Sequence, residues 1–282
     1  MKFGVNTFLF VSPFTNDTTS IFQQLKQWGF DSAEIAVEQV SHLDPIYVKS
    51  ELDRYGLTCG ALCSVTGPDR DLRGTPEQQQ TSTDYLLWLI DAAAPLGCSN
   101  IIGPVYSAVG RAESYSDKER QAQWKLVVKN LKKICRYAEK KGVTISVEPL
   151  NRFETDFINT CDQVLQLIKD VGSPALRVHL DTFHMNIEEK NSAAAIRKAG
   201  KLLGHFHACG CDRGTPGNDH IDWKGIAAAL KSVGYDGQVI IESFTQDIKM
   251  IAKAASIWRK FEPSPDDIAR NGLKFLKKTL AL

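Results

Sequence analysis

Short runs of β-branched and aromatic residues alternate along the chain with longer stretches whose apolar positions recur every three or four residues. A near-continuous apolar run suits a strand buried on both faces. A three-to-four spacing suits a helix with one buried side. FGVNTFLF predicts a first strand. TSIFQQLKQWG predicts the helix after it, with Asp17 or Thr18 as its cap and Gly29 as its stop. DSAEIAV and LTCGALCSV read as the second and third strands. PIYVKSELDRYG is the helix between them, and a helix from near Thr75 to Pro95 follows the third.

The same plan continues to the C-terminus. SNIIGPVY leads into SDKERQAQWKLVVKNLKKICRYAEKKG, and VTISVEPL into TCDQVLQLIKDVG. LRVHLD leads into NSAAAIRKAG, and LGHFHA, through a long loop, into DWKGIAAALKSVG. GQVIIES precedes two last helical stretches. Strand-then-helix repetition implies parallel strands joined by right-handed crossovers. Eight such units predict a closed (β/α)8 TIM barrel, a single domain over residues 1–282. An open doubly wound sheet is the alternative, but no G-x-G-x-x-G or phosphate loop follows any strand. No linker or low-complexity tract divides the chain.

Composition changes this picture little. Apolar residues make up 43% and charged residues 24%, and the formal net charge is +1. That balance argues against a nucleic-acid or anionic-membrane partner. No segment approaches the ~20 apolar residues of a membrane span. The N-terminal apolar run is broken by Asn6 and Thr7 and reads as a strand rather than a signal peptide. Seven cysteines without a framework fit a reducing cytoplasm.

In a barrel of this kind chemistry gathers at the C-terminal ends of the strands. The fifth to eighth strands end on Glu148, Asp181, His207 and Glu242, which lie 33, 26 and 35 residues apart, about one unit each. Any one of them alone reads as a solvated strand end. Four in succession read as a metal site. Three carboxylates and one imidazole favour Mn2+, Mg2+ or Co2+ over a closed thiolate zinc site. Two residues back along their strands, His179 and His205 would lie one layer deeper. There they either orient the ligands from behind or serve as core histidines bonded to carbonyls. The stretch HFHACGCDRGTPGNDHIDW is therefore a strand end and its loop. Cys209 and Cys211 pack that loop, His220 and Asp219 reach the rim, and Asp222 caps the next helix.

The segments EPLNRFET, HLDTFHMN, HFHACGCDRGTPGNDH and IIES resemble those of the ketose 3-epimerases, the D-tagatose/D-psicose (allulose) 3-epimerase family of xylose-isomerase-like TIM barrels. The likeness is close in the C-terminal half and extends to the N-terminal half as fold pattern. It implies one divalent metal ion per chain, Mn2+ first, on Glu148, Asp181, His207 and Glu242. It implies that Glu148 and Glu242 form the acid/base pair, and that Glu154, His184 and Arg213 hold the sugar. It also implies a homodimer or homotetramer. TFLFVSPF, at the end of the first strand, differs from the aromatics that the family carries there, which leaves the sugar open.

The chemistry is consistent with that role. Epimerisation beside a ketone needs an electrophile on the oxygens, a base near the C–H and an acid on the opposite face. The rival readings are an aldose–ketose or hydroxypyruvate-type isomerase, an inosose dehydratase, and a metal-binding sugar sensor without turnover.

Overall fold

Eight parallel strands close on themselves in chain order. They are β1 (Lys2–Asn6), β2 (Ser32–Val37), β3 (Thr58–Ser64), β4 (Asn100–Gly103), β5 (Thr144–Val147), β6 (Leu176–Asp181), β7 (Leu203–Ala208) and β8 (Gln238–Ile241). The structure, a computed structural model, describes residues 1–280. The principal crossover helices are α1 (Ile21–Trp28), α2 (Pro45–Tyr55), α3 (Pro76–Leu96), α4 (Asp117–Lys141) and α5 (Cys161–Val171). A short α6 (Thr182–Glu188) precedes α7 (Ser192–Ala199). α8 (Trp223–Ser232), α9 (Lys249–Ala254) and α10 (Pro265–Leu280) complete the ring.

Local chemistry sets the helix ends. Thr75 with Gln78, Ser116 with Glu119 and Thr160 with Gln163 form reciprocal capping pairs at the starts of α3, α4 and α5. Gly97 and Gly142 stop α3 and α4 in the left-handed region, at φ 66° and 67°, where a Cβ would be strained. The buried stripe of α4 is Val127, Leu131, Ile134, Cys135 and Ala138, the three-to-four spacing seen in its sequence.

Two local expectations are corrected. Asp17 and Thr18 do not cap α1. They belong to a one-turn 3-10 helix, Asn16–Thr18, capped by Thr15, and α1 starts after Ser20 with no side-chain cap bond. The first strand ends at Asn6 instead of continuing through FLF. The Asn6 Oδ1 accepts the Phe8 N–H at 2.9 Å and turns Thr7–Leu9 into a 3-10 helix. That turn brings Phe8 to the mouth of the barrel.

Closure depends on small residues at the base. Gly4 of β1 pairs with Ser32 of β2 on one side and Ile240 of β8 on the other. A Cβ there would lie 2.3 Å from Ser32 Oγ, 2.6 Å from Ile240 Cδ1 and 2.8 Å from the Ser32 carbonyl oxygen. The last contact is backbone and cannot swing away. Gly4→Ala is therefore expected to cost roughly 1–3 kcal/mol through overpacking. Thermal unfolding checks this against Gly142→Asn, where nothing lies within 4 Å of the added Cβ. Equal melting temperatures for the two variants would contradict the close packing.

Candidate active site

The strand register assembles the site. His179 pairs with His205 and Asp181 with His207 across β6 and β7. Glu148 immediately follows β5 and Glu242 immediately follows β8. One ligand atom from each of Glu148, Asp181, His207 and Glu242 lies within 4.8 Å of the others, and all four residues are buried. The His207 Nδ1 is 3.2 Å from Glu242 Oε2, 3.9 Å from Asp181 Oδ2 and 4.0 Å from Glu148 Oε1.

Three carboxylates in one dry place repel each other. Burial and then Glu242 push the Glu148 carboxyl well above its ordinary range. Burial also raises Asp181, with Arg213 opposing. At Glu242 burial acts upward but is outweighed by His207 and Arg213, which hold it below the usual value. Burial alone would lower His207. The Glu34 and Glu242 carboxylates outweigh it and raise His207 well above the ordinary histidine value. The Glu148 Oε1 and the His207 Nδ1 are both buried without a hydrogen-bond partner. Unpartnered donor atoms converging on one point, in a set of three oxygens and one nitrogen, fit a divalent cation of the Mn2+, Mg2+ or Co2+ kind.

The residues expected around a substrate converge here too. Arg213 Nη1 is 2.5 Å from Asp181 Oδ2 and 3.0 Å from Glu242 Oε2. The guanidinium is thus tied to two of the carboxylates that could hold an ion, which the sequence did not indicate. Its Cζ lies over the Phe183 and Phe244 rings, 4.4 and 5.0 Å from the ring centres. The Arg213 backbone sits at φ 69°, a conformation a non-glycine residue keeps only where its surroundings demand it. His184 lies in α6, whose first turn is capped by Asp181 Oδ1 accepting the Phe183 N–H at 2.6 Å. The His184 Nδ1 accepts the Asn151 N–H at 2.9 Å, and its Nε2 lies 2.8 Å from Arg213 Nη2 and 3.7 Å from Glu148 Oε1. Glu154 Oε1 accepts from Asn151 Nδ2 at 2.7 Å. Burial, opposed by Arg213, raises its pKa.

Glu148, Glu154, His184, Arg213 and Glu242 line a cavity of about 400 Å3, with Asp181 and His207 buried behind them. Phe8, Val65, Leu150, Phe244 and Ile251 wall its outer part. Cys209 is buried under the site, its thiol 3.4 Å from Asp181 Oδ1, and packs the loop. Asp222 caps α8 through the Gly225 N–H. Asp219 and His220 do not line the cavity. Asp219 instead binds the Gly217 and Ile221 N–H groups and the Trp223 indole.

The deeper layer holds more than the two histidines. His179 and His205 are completely buried, and burial lowers both pKa values. Beside them stands Glu34 of β2, also completely buried, which the sequence reading missed. Burial raises its pKa, but His207 and His205 outweigh that and bring it down to about 2. A glutamate inside the apolar run SAEIAV was the available signal.

Known proteins share this architecture. The sequence matches the family profile of xylose isomerase-like TIM barrels over residues 22–279. A probable ketose 3-epimerase of Synechocystis is 37% identical, covering 99% of this chain and 96% of the relative. The chain belongs to the ketose 3-epimerase family. An L-ribulose 3-epimerase of Mesorhizobium japonicum is 38% identical over 98% of this chain and 93% of its own length. The D-allulose 3-epimerase of Methylomonas, solved in complex with D-allulose, superposes with a TM-score of 0.92 at 28% identity, covering 99% of this chain and 97% of that one. A ketose 3-epimerase is an isomerase, and the family is one of enzymes, which sets aside the sugar-sensor reading. Among the described residues no helix is long and apolar enough to cross a membrane.

The role of Arg213 as a counter-charge is testable without substrate. In chelator-treated protein, Arg213→Ala is expected to lower unfolding free energy by roughly 3–5 kcal/mol, because it strands buried carboxylates. Alanine bears a left-handed backbone cost similar to that of arginine, so the difference reads the side chain. Urea unfolding measures it. A loss below about 1 kcal/mol would mean that the carboxylates do not depend on this cation.

Proposed function

We propose that the protein is a metal-dependent epimerase that inverts C3 of a free ketose through a cis-enediolate, with Glu148 and Glu242 as its acid/base pair. One observation carries the reading. Two carboxylates from non-neighbouring strands, β5 and β8, reach the same point as Asp181 and His207. A divalent ion held by these four residues, Mn2+ first with Co2+ or Mg2+ as alternatives, supplies Lewis-acid stabilisation of the sugar oxygens when bound.

The chain's own groups supply the rest. One glutamate takes the C3 proton, and the other returns a proton to the opposite face. The Arg213 guanidinium offers donors to the carbonyl and neighbouring hydroxyl oxygens, where charge develops, and His184, 2.8 Å from that guanidinium, holds the sugar beside it. Glu154, held by Asn151, accepts from a sugar hydroxyl. Val65, Leu150 and Phe244 exclude water from the reacting carbons.

Charge supports a sugar without phosphate. Glu38, Glu148, Glu154 and Glu242 line the cavity, and Arg213 is the one arginine or lysine among its described lining residues. That arginine is already paired with Asp181 and Glu242. A phosphate dianion would meet carboxylates with no free cation to receive it. By family resemblance the working form is a homodimer or homotetramer, and seven unpaired thiols suit a reducing cytoplasm.

Chelation is expected to abolish turnover, and added Mn2+ or Co2+ to restore it. Asp181→Asn is expected to bind the ion far more weakly while the barrel stays folded. Full activity in metal-free protein would refute the metal reading.

Isotope exchange tests the chemistry. In D2O the product ketose gains deuterium at C3 and none at C1. A C1–C2 isomerase would label that end instead. Glu148→Gln and Glu242→Gln each lower kcat by at least about a hundredfold. Metal content is measured alongside, because each variant also loses a charged ligand. Near wild-type epimerisation in both metal-loaded variants would overturn the two-glutamate mechanism.

A further inference from the structure

Glu34 lies opposite the cavity, behind His207. Its Oε1 is 2.8 Å from His207 Nε2, and its Oε2 is 2.6 Å from His205 Nε2. The Asn6 Nδ2 donates to the same Oε1 at 2.7 Å and approaches Glu242 Oε1 at 3.3 Å. The orientation of Asn6 is itself set, because its Oδ1 accepts the Phe8 N–H. Glu34 Oε1 is therefore held by the Asn6 amide and the His207 imidazole, while Oε2 sits against His205 without an aligned hydrogen bond, and no part of the residue is solvent-accessible.

We infer that Glu34 is a positioning residue that sets the tautomer and aim of His207. With the His207 Nε2–H donated to Glu34, the lone pair belongs to Nδ1. Nδ1 is the atom that faces Glu242, Asp181 and Glu148. A carboxylate behind a ligating imidazole holds the ring angle and strengthens its nitrogen as a donor. β2 thus acts on the ion through β7, and Asn6 of β1 joins this arrangement to the Glu242 ligand. His205 keeps the second Glu34 oxygen turned away from the cavity. The inference rests on the reading that Glu148, Asp181, His207 and Glu242 hold a divalent ion. A different grouping, Glu34 with Cys63 and Glu242, also lies within 4.8 Å. Both Glu34 oxygens already face histidine nitrogens, which argues against Glu34 as a ligand.

The test is Co2+ binding to full-length, chelator-treated protein, by titration calorimetry and visible absorption, for wild type and Glu34→Gln. The amide keeps the shape but puts a neutral group, half of it a donor, where His207 Nε2 and Asn6 Nδ2 both face a carboxylate. Co2+ affinity is expected to fall 10–100-fold, with a changed visible band, while circular dichroism stays that of the folded barrel. Equal affinity and an unchanged band would overturn this inference and leave the metal reading standing. Failure of wild type to bind Co2+ would overturn both. A cobalt–thiolate charge-transfer band in wild type would place the ion with Cys63 and overturn the role given to Glu34. A second measurement does not depend on the variant folding. Long-range proton–nitrogen spectra of the Zn2+-loaded wild type read the histidine tautomers directly. A proton on His207 Nε2 agrees with the inference, and a proton on Nδ1 overturns it.

Discussion

Three carboxylates, Glu148, Asp181 and Glu242, are brought by three strands into one buried place beside the cavity. Isolated buried anions are too costly to keep, so every neighbouring group is arranged to compensate them. Arg213 bridges two of the three from the cavity side, and His207 approaches all three from the floor. Arg213 holds that position with a left-handed backbone and with its Cζ over two phenyl rings. A site so far short of positive charge suits a divalent cation and a neutral sugar, and disfavours a second anion.

The barrel can meet this demand because its base is closely packed. Gly4 and Gly60 leave just enough room for Ser32 and Ile240, so the strands hold a fixed register. Register then puts His205 beside His179 and His207 beside Asp181. The precision of the rim is thus set several residues below it, by side chains that take no part in chemistry.

Much of this was legible in the sequence. Eight alternating units gave the barrel, because strand and helix periods differ and the crossovers are regular. The convergence of the four strand-end side chains was legible because a polar residue closing an apolar run is conspicuous. Glu34 was not. It lies within its strand, and a lone carboxylate there cannot be placed until the barrel brings β2 opposite β7. The bridging role of Arg213 was hidden for a related reason: its loop folds back over the site, and no periodicity describes a loop. The shortened first strand escaped notice because FLF has strand character, and the Asn6 side chain that turns the chain is a local bond, not a pattern.

Asp181 has two jobs on one carboxylate. Its Oδ1 caps α6, the helix that carries His184, and its Oδ2 faces the ion position and Arg213. The residue proposed to anchor the ion therefore also sets where His184 stands. Such sharing narrows the routes open to mutation. On the proposed reading, a lineage could not retune its metal preference at position 181 without also shifting α6 and His184, a coupling that the apolar wall of the cavity does not share. Divergence among enzymes built this way would concentrate at the far end of the substrate, leaving the reacting centre as an inherited block that passes on whole or not at all.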